Sequence, residues 1–321
     1  MNTSNIRKAG ITALLFSSFT LNAQKIEAIP FGNMDHWITR QVKESFVIGG
    51  HTQKLYEIGD ARDSVAPNKP YVNRHSPWAT SSVLATVSGI TKGSVTVFPE
   101  NRGNGKAARL ETRVEKVKVL GVLNINVLAS GTIFLGHMIE PIKDTKNPQA
   151  KLVTGIPFSK KPDFLEFDYK VTTGGASRKI NGLSASGSAT GTTDKAEVFI
   201  LLQHRWEDAQ GNVHAKRIGT GWERIFQSTS SWKNNHRIPV FYGNMTNQRG
   251  YASYMGLKNG AHAYYTRNSK GKMVPIHEDG WGDANDKVTH LIVQFSSSNG
   301  GAYIGNPNSK LWIDNVGLGY N

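Results

Sequence analysis

The stretch "EVFILLQ" (197–203) carries apolar side chains on both parities, Val198, Ile200 and Leu202 against Phe199 and Leu201. In an extended chain successive side chains point to opposite faces, so the spacing predicts a strand covered on both sides, inside a sheet. "THLIVQF" (289–295) places Leu291, Val293 and Phe295 on one face and His290, Ile292 and Gln294 on the other, the pattern of a half-exposed strand. "SVTVFPE" (94–100), "LEFDYKV" (165–171) and "LWIDNVGL" (311–318) are likewise short, rich in β-branched or aromatic residues, and bounded by Gly, Pro, Asn and Ser. The best helical window, "DHWITRQVKESF" (35–46), accounts for one or two turns. The chain therefore reads as all-β, with two packed sheets forming a sandwich or jelly roll.

Outward from these strands, the N-terminus has Arg7 and Lys8, an apolar run from Ile11 to Leu21, and the small residue Ala23. That predicts a secretory signal peptide over residues 1–23, followed by one exported domain over 24–321. The run is too short and too interrupted to span a bilayer, which needs roughly 20 apolar residues. Cysteine is absent, which excludes disulfides, thiol catalysis and thiolate metal sites. The formal charge is +14, and without Arg7 and Lys8 it is +12, from 36 basic and 24 acidic residues. The charge is diffuse and no nucleic-acid reader motif is present, so attraction to anionic glycans or envelope surfaces is expected in place of nucleic acid.

Three connections stand out. "GGASRKINGLSASGSATGTTD" (174–194) reads as a long polar loop within one domain, and "EPIKDTKNPQAKLVTGIPFSKKPD" (140–163) as a second polar connection. "KVKVLGVLNINVLASGTIFLG" (116–136) is an apolar excursion that predicts an inserted hairpin. The terminal strand sets a different problem. Alternation puts Asp314 on the side of Trp312, Val316 and Leu318, and a carboxylate in an apolar row needs donors, a cation, water or a bend in the strand.

"IPFGNMDHWITR" (29–40), "SPWATSSVLATVSG" (76–89) and "GNPNSKLWIDNVGLGY" (305–320) together resemble the putative carbohydrate metabolism domain family of exported β-sandwich proteins, over residues 25–321. The two ends also resemble, more distantly, carbohydrate-binding jelly rolls. The resemblance implies association with glycans, in the periplasm, at the outer-membrane surface beside protein partners there, or outside the cell. In the jelly-roll relatives, acidic residues of the first and last strands hold a structural calcium. Carried over, those positions are Asp35 and Asp314, and the alternative is that Asp314 accepts backbone N–H groups at a bulge, with no metal.

A sugar ring stacks its C–H face on an aromatic side chain while polar groups hold its edge. Of the seven tryptophans, Trp37 and Trp312 lie in terminal strands and read as core; Trp78, Trp206, Trp222, Trp232 and Trp281 sit among polar or turn residues and are candidate platforms. The strongest constellation is His204, Arg205, Trp206 and Glu207, leading through "AQGN" (209–212) to a returning strand with His214, Lys216 and Arg217. It has the composition of a sugar or uronate site and equally of an exposed charged hairpin. A glycosidase would need two carboxyl groups roughly 5 to 9.5 Å apart. Glu166 with Asp168, and Glu207 with Glu223, are the pairs to test. "HEDGWGDANDK" (277–287) lacks calcium-loop spacing and reads as a solvated turn. Glycan binding is the leading reading, ahead of hydrolysis on the same architecture and of a noncatalytic envelope or adhesion role.

Overall fold

The structure is a computed structural model that describes residues 24–63, 65–119 and 123–321; the expected signal segment 1–23 lies outside them. Two sheets form an all-β sandwich. One contains, in order, Lys233–Pro239, Phe164–Thr172, Lys310–Tyr320, Gly105–Glu111 and Val97–Arg102, with Lys25–Ala28 paired to the last strand. The other runs Leu152–Thr154, Thr132–Met138, His290–Ser296, Ala196–Glu207, Val213–Ile225, Met273–Trp281 and Tyr265–Arg267, with Trp78–Thr80, Ile156–Pro157 and Phe241–Tyr242 joined at its margins. Pairing is antiparallel except between Val213–Ile225 and Met273–Trp281, which run parallel. Helical structure among the described residues is confined to short 3-10 turns.

The 196–207 strand is central, between 290–296 and 213–225. Its two apolar faces go to two cores, as its alternation requires. Val198, Ile200 and Leu202 meet Leu165, Phe167, Val171, Leu311 and Ile313 of the opposing sheet in the main core. Phe199 and Leu201 point the other way and join Trp222, Met245, Met255 and Ile292 in a second core. That second core corrects the expectation for "THLIVQF". Ile292 is buried, because residues from Met245 to Tyr264 fold over this face and cover it.

Three local readings are also settled. Residues 35–46 contain a strand, Trp37–Lys43, paired with Thr52–Ile58, and no helical turn precedes Phe46. Ile38, Arg40 and Val42 are buried while Thr39, Gln41 and Lys43 are exposed. A buried arginine interrupts the apolar row and hides the period of two; Arg40 is there because it binds Glu57 at 2.7 Å and Glu140 at 2.5 Å. The 174–194 stretch is partly ordered into a small sheet of Ala176–Lys179, Ser188–Thr193 and Ile304–Gly305, built by backbone pairing of small exposed residues that leave no apolar signature. The apolar excursion is a hairpin as expected, Arg113–Val119 against Leu123–Ala129.

In the last strand Asn315 has φ of 50°, and the pairing with Phe164–Thr172 shifts register between Glu166 and Asp168. This bulge exchanges the faces: Leu311 and Ile313 point into the main core before it, Val316 and Leu318 after it. Asp314 therefore shares a side with Trp312 and not with Val316 and Leu318. A Cβ on Gly319 would lie 2.0 Å from the Phe164 ring, so that close crossing requires glycine.

Candidate functional site

The outer face of the larger sheet is the floor of a cleft of about 1120 Å³. Phe134, Phe199, Trp222, Gln294 and Ser296 contribute to the floor. The inserted hairpin supplies one wall through Val117, Ile125 and Val127, so its apolar residues face a cavity. The 3-10 turns Ser253–Met255 and Gly260–His262 lie along another, and residues 299–304 close an end, where the Tyr303 hydroxyl donates to the Thr145 carbonyl at 2.5 Å.

The aromatic rings form a contiguous set. Phe199 and Trp222 lie 4.4 Å apart, Phe199 and Tyr264 5.9 Å, and Trp222 meets Tyr254 edge-on at 6.0 Å. Cross-strand pairing produces the first contact, since Phe199 is directly opposite Trp222. Cations sit on these rings, Lys258 Nζ 4.9 Å from the Trp222 centroid and the Arg224 guanidinium 4.1 Å from that of Tyr254. Arg224 Nε donates to Glu197 Oε1 at 2.7 Å. Burial raises the Glu197 carboxyl above its ordinary value, against the pull of Arg224. Burial also lowers the Lys258 ammonium, and the charges of Arg217 and Arg224 push it the same way. Beneath the 253–259 segment, Arg217 and Glu278 form a fully buried ion pair, and Glu278 also accepts the Lys258 backbone N–H at 2.6 Å. This ties the wall to the sheet. It also corrects the reading of 277–287 as only a solvated turn, because Glu278 lies in the Met273–Trp281 strand.

The geometry is that of a groove lined by aromatic rings and fixed charges, of a volume suited to a ligand site. A family model described as Putative carbohydrate metabolism domain matches residues 54–319. The chain belongs to the putative carbohydrate metabolism domain family. Its function is accordingly carbohydrate-related. Among solved structures it is similar to one titled a putative glycoside hydrolase from Bacteroides thetaiotaomicron, at 17% identity and a TM-score of 0.45, with 76% of this chain covered. The chain spans 63% of that structure's length. No curated protein matches.

In this member of the family the sequence-read candidates separate. Trp222 lines the cleft. Trp281 packs on the core beneath it, with the Arg217 guanidinium 5.5 Å from its ring. Trp78 is core and no platform: it is fully buried, donates from Nε1 to the Pro30 carbonyl at 3.0 Å, and packs on Phe295. Trp232 stacks on Arg102, whose guanidinium is 3.9 Å from its ring. Arg205 is buried and structural, donating to Gln203 at 2.7 Å and to the Thr154 carbonyl at 3.0 Å. His204, Trp206 and Glu207 lie at the far end of the hairpin. Trp206 stacks nearly parallel on His214 at 5.5 Å, His204 is 6.0 Å from Trp206, and Glu207 accepts from Ser269 at 2.7 and 2.8 Å. Burial works against a charge on His214, but Asp208 and Asp279 outweigh it and hold the imidazole above its ordinary value.

Asp35 and Asp314, expected to meet, have separate partners. Arg102 Nη1 lies 2.6 Å from Asp314 and 2.8 Å from Asp168, supplying the cation. Asp314 Oδ1 accepts the Asn315 N–H at 2.8 Å, and Asp168 accepts from Asn235 N at 2.7 Å and Asn315 Nδ2 at 2.9 Å. Asp35 is separately held by the Lys106 N–H and Asn33, each at 2.8 Å. Arg102 on Asp314 and the Lys106 N–H on Asp35 thus occupy the carboxylates that the resemblance would assign to a calcium.

The acid pairs singled out in the sequence have these positions. Glu166 is held by Arg237 at 2.6 Å and Asp168 by Arg102. Glu223 is paired across from Val198 and Glu207 from Val213, which separates them by roughly 30 Å of strand. Sequence reasoning missed Phe199, Tyr254, Tyr264, Arg224, Lys258 and Glu197. A usable signal was present for two: Glu197 and Arg224 are polar residues at the start and end of long apolar strands that pair with each other.

Proposed function

We propose that the cleft binds a glycan chain noncatalytically, with Tyr254 giving stacking surface against the packed Trp222 ring and Arg224, Gln294 and Lys258 holding hydroxyl or charged groups. The observation that carries this reading is a contiguous ring set on a cleft of about 1120 Å³, with Phe199 and Trp222 packed in the floor and Tyr254 and Tyr264 against them from the wall. Family membership supports the substrate class. The test is binding of the purified protein to a glycan panel, repeated with Tyr254→Ala and Trp222→Ala. Retention of at least one glycan by the wild type, weakened about tenfold or more in both variants, is expected. Binding that survives both changes sinks the cleft as the site.

A hydrolytic second reading has one observation in its favour, the raised carboxyl of Glu197, which suits a proton donor. Against it, Glu197 is already paired with Arg224, and the other acids of the lining, Glu115 and Asp144, are 3.4 and 3.7 Å from Lys92 and Lys151. Reducing-sugar release by the wild type that Glu197→Gln abolishes would establish hydrolysis.

A further inference from the structure

The charges of the cleft are unevenly matched. At the end beneath the 253–259 segment, Arg224, Lys258 and Glu197 line the cleft, with Arg217 and Glu278 fully buried behind them. Arg217 takes Glu278 and Arg224 takes Glu197, which leaves the Lys258 ammonium over the Trp222 ring. Its one hydrogen bond is to the Tyr254 carbonyl at 2.6 Å, and no carboxylate lies within 4 Å of it among the described residues. On the opposite wall the balance is reversed, since Lys92 sits between Glu44 at 3.6 Å and Glu115 at 3.4 Å. Lys151 is likewise matched, by Asp144 at 3.7 Å, so among the described residues the lysines of the lining without a carboxylate within 4 Å are Lys179, which is exposed, and Lys258, which is half-buried against the Trp222 ring.

Resting on the reading of the cleft as a glycan site, we propose that it recognises an acidic glycan, one bearing carboxylate or sulfate groups, through the Lys258 ammonium and the Arg224 guanidinium. A half-buried ammonium with unused donors is costly until an anion meets it, whereas a neutral sugar leaves it unmatched. Arg224 is already oriented by Glu197 and by the Tyr254 ring, which leaves its Nη groups for a planar carboxylate or a sulfate. The Trp222 and Tyr254 rings then lie beside the charged substituent, where a sugar ring carrying it would stack. The depressed ammonium of Lys258 agrees with the geometry, since an anion arriving there would raise it again.

The experiment uses oligogalacturonates, oligoalginates and sulfated glycosaminoglycan fragments, each beside its methyl-esterified or desulfated counterpart, titrated at one fixed ionic strength. The proteins are the wild type, Lys258→Met and Lys258→Arg. An acidic member binding at least about tenfold tighter than its neutral counterpart, with the preference lost in Lys258→Met and kept in Lys258→Arg, is the expected result. The esterified and desulfated arms separate carboxylate from sulfate recognition. Equal binding of acidic and neutral forms overturns the inference and leaves the glycan cleft standing. A preference that persists in Lys258→Met also overturns it, being the diffuse attraction of a basic surface. Failure of every glycan, neutral panel included, overturns both readings.

Discussion

Two buried charge clusters of this protein solve opposite problems. Where the last strand bulges, two carboxylates, Asp168 and Asp314, share one guanidinium, that of Arg102. Under and along the 253–259 wall of the cleft, three cations, Arg217, Arg224 and Lys258, share two carboxylates, Glu278 and Glu197. The first cluster completes itself from within the chain: the backbone N–H groups of Asn235 and Asn315 and the Asn315 amide supply the missing donors. The second does not, and its unmatched ammonium faces a cavity. A negative excess is easily met in a protein because every residue except proline offers an N–H, while a positive excess has only carbonyl dipoles to turn to. The closed cluster thus ties the fold together, and the open one is suited to recognition.

The comparison can be broken by removing each central arginine. Arg217→Met strands Glu278, whose side chain is fully buried, and should cost about 4 kcal/mol in urea unfolding. Arg102→Met strands two carboxylates that keep some access to water, with Arg102 itself 19% exposed, and should cost about 3 kcal/mol. Losses below 1 kcal/mol in both would show that neither arginine closes its cluster.

A smaller effect concerns pH. Burial, reinforced by Arg205, lowers His290 from 6.5 to about 4. Between those values the unfolded chain holds the proton and the folded chain does not, so stability is full above pH 6.5 and falls as the pH drops toward 4. Melting temperatures measured across that window should flatten in His290→Gln. An unaltered slope would assign the acid sensitivity to other groups.

The smallest expected effect is none at all. With Arg102 on Asp314 and the Lys106 N–H on Asp35, a chelator should leave the melting temperature unchanged. A fall of several degrees that Asp314→Ala abolishes would restore the calcium clasp.

The architecture was legible because burial on two faces leaves an alternating apolar record, as in 197–203, and because the hairpins at 97–111 and 196–225 have turn residues at their tips. Arg40 hid one strand, since a paired buried cation looks like a surface residue in sequence. The candidate site was legible only in Trp222. Trp78 sits beside Ser76 and Pro77 yet is buried by strands remote in sequence, and Tyr254, Lys258 and Glu197 meet only because residues 244–264 fold across the outer face of the sheet. Local flanks report what surrounds a residue along the chain, and a cleft is made by what surrounds it in space. The bulge at Asn315 was invisible for a related reason, as a single positive φ reverses the parity on which the Asp314 reading relied.

On the proposed reading the outer face of the larger sheet, and not the His204–Trp206–His214 stack at the end of the hairpin, receives the glycan. Hydrogen exchange measured with and without the tightest glycan of the panel tests it directly. The account predicts slowed exchange in the cleft walls, in residues 123–129 and 253–264, with residues 204–214 unchanged. Protection confined to 204–214 would contradict it and move the site to that stack.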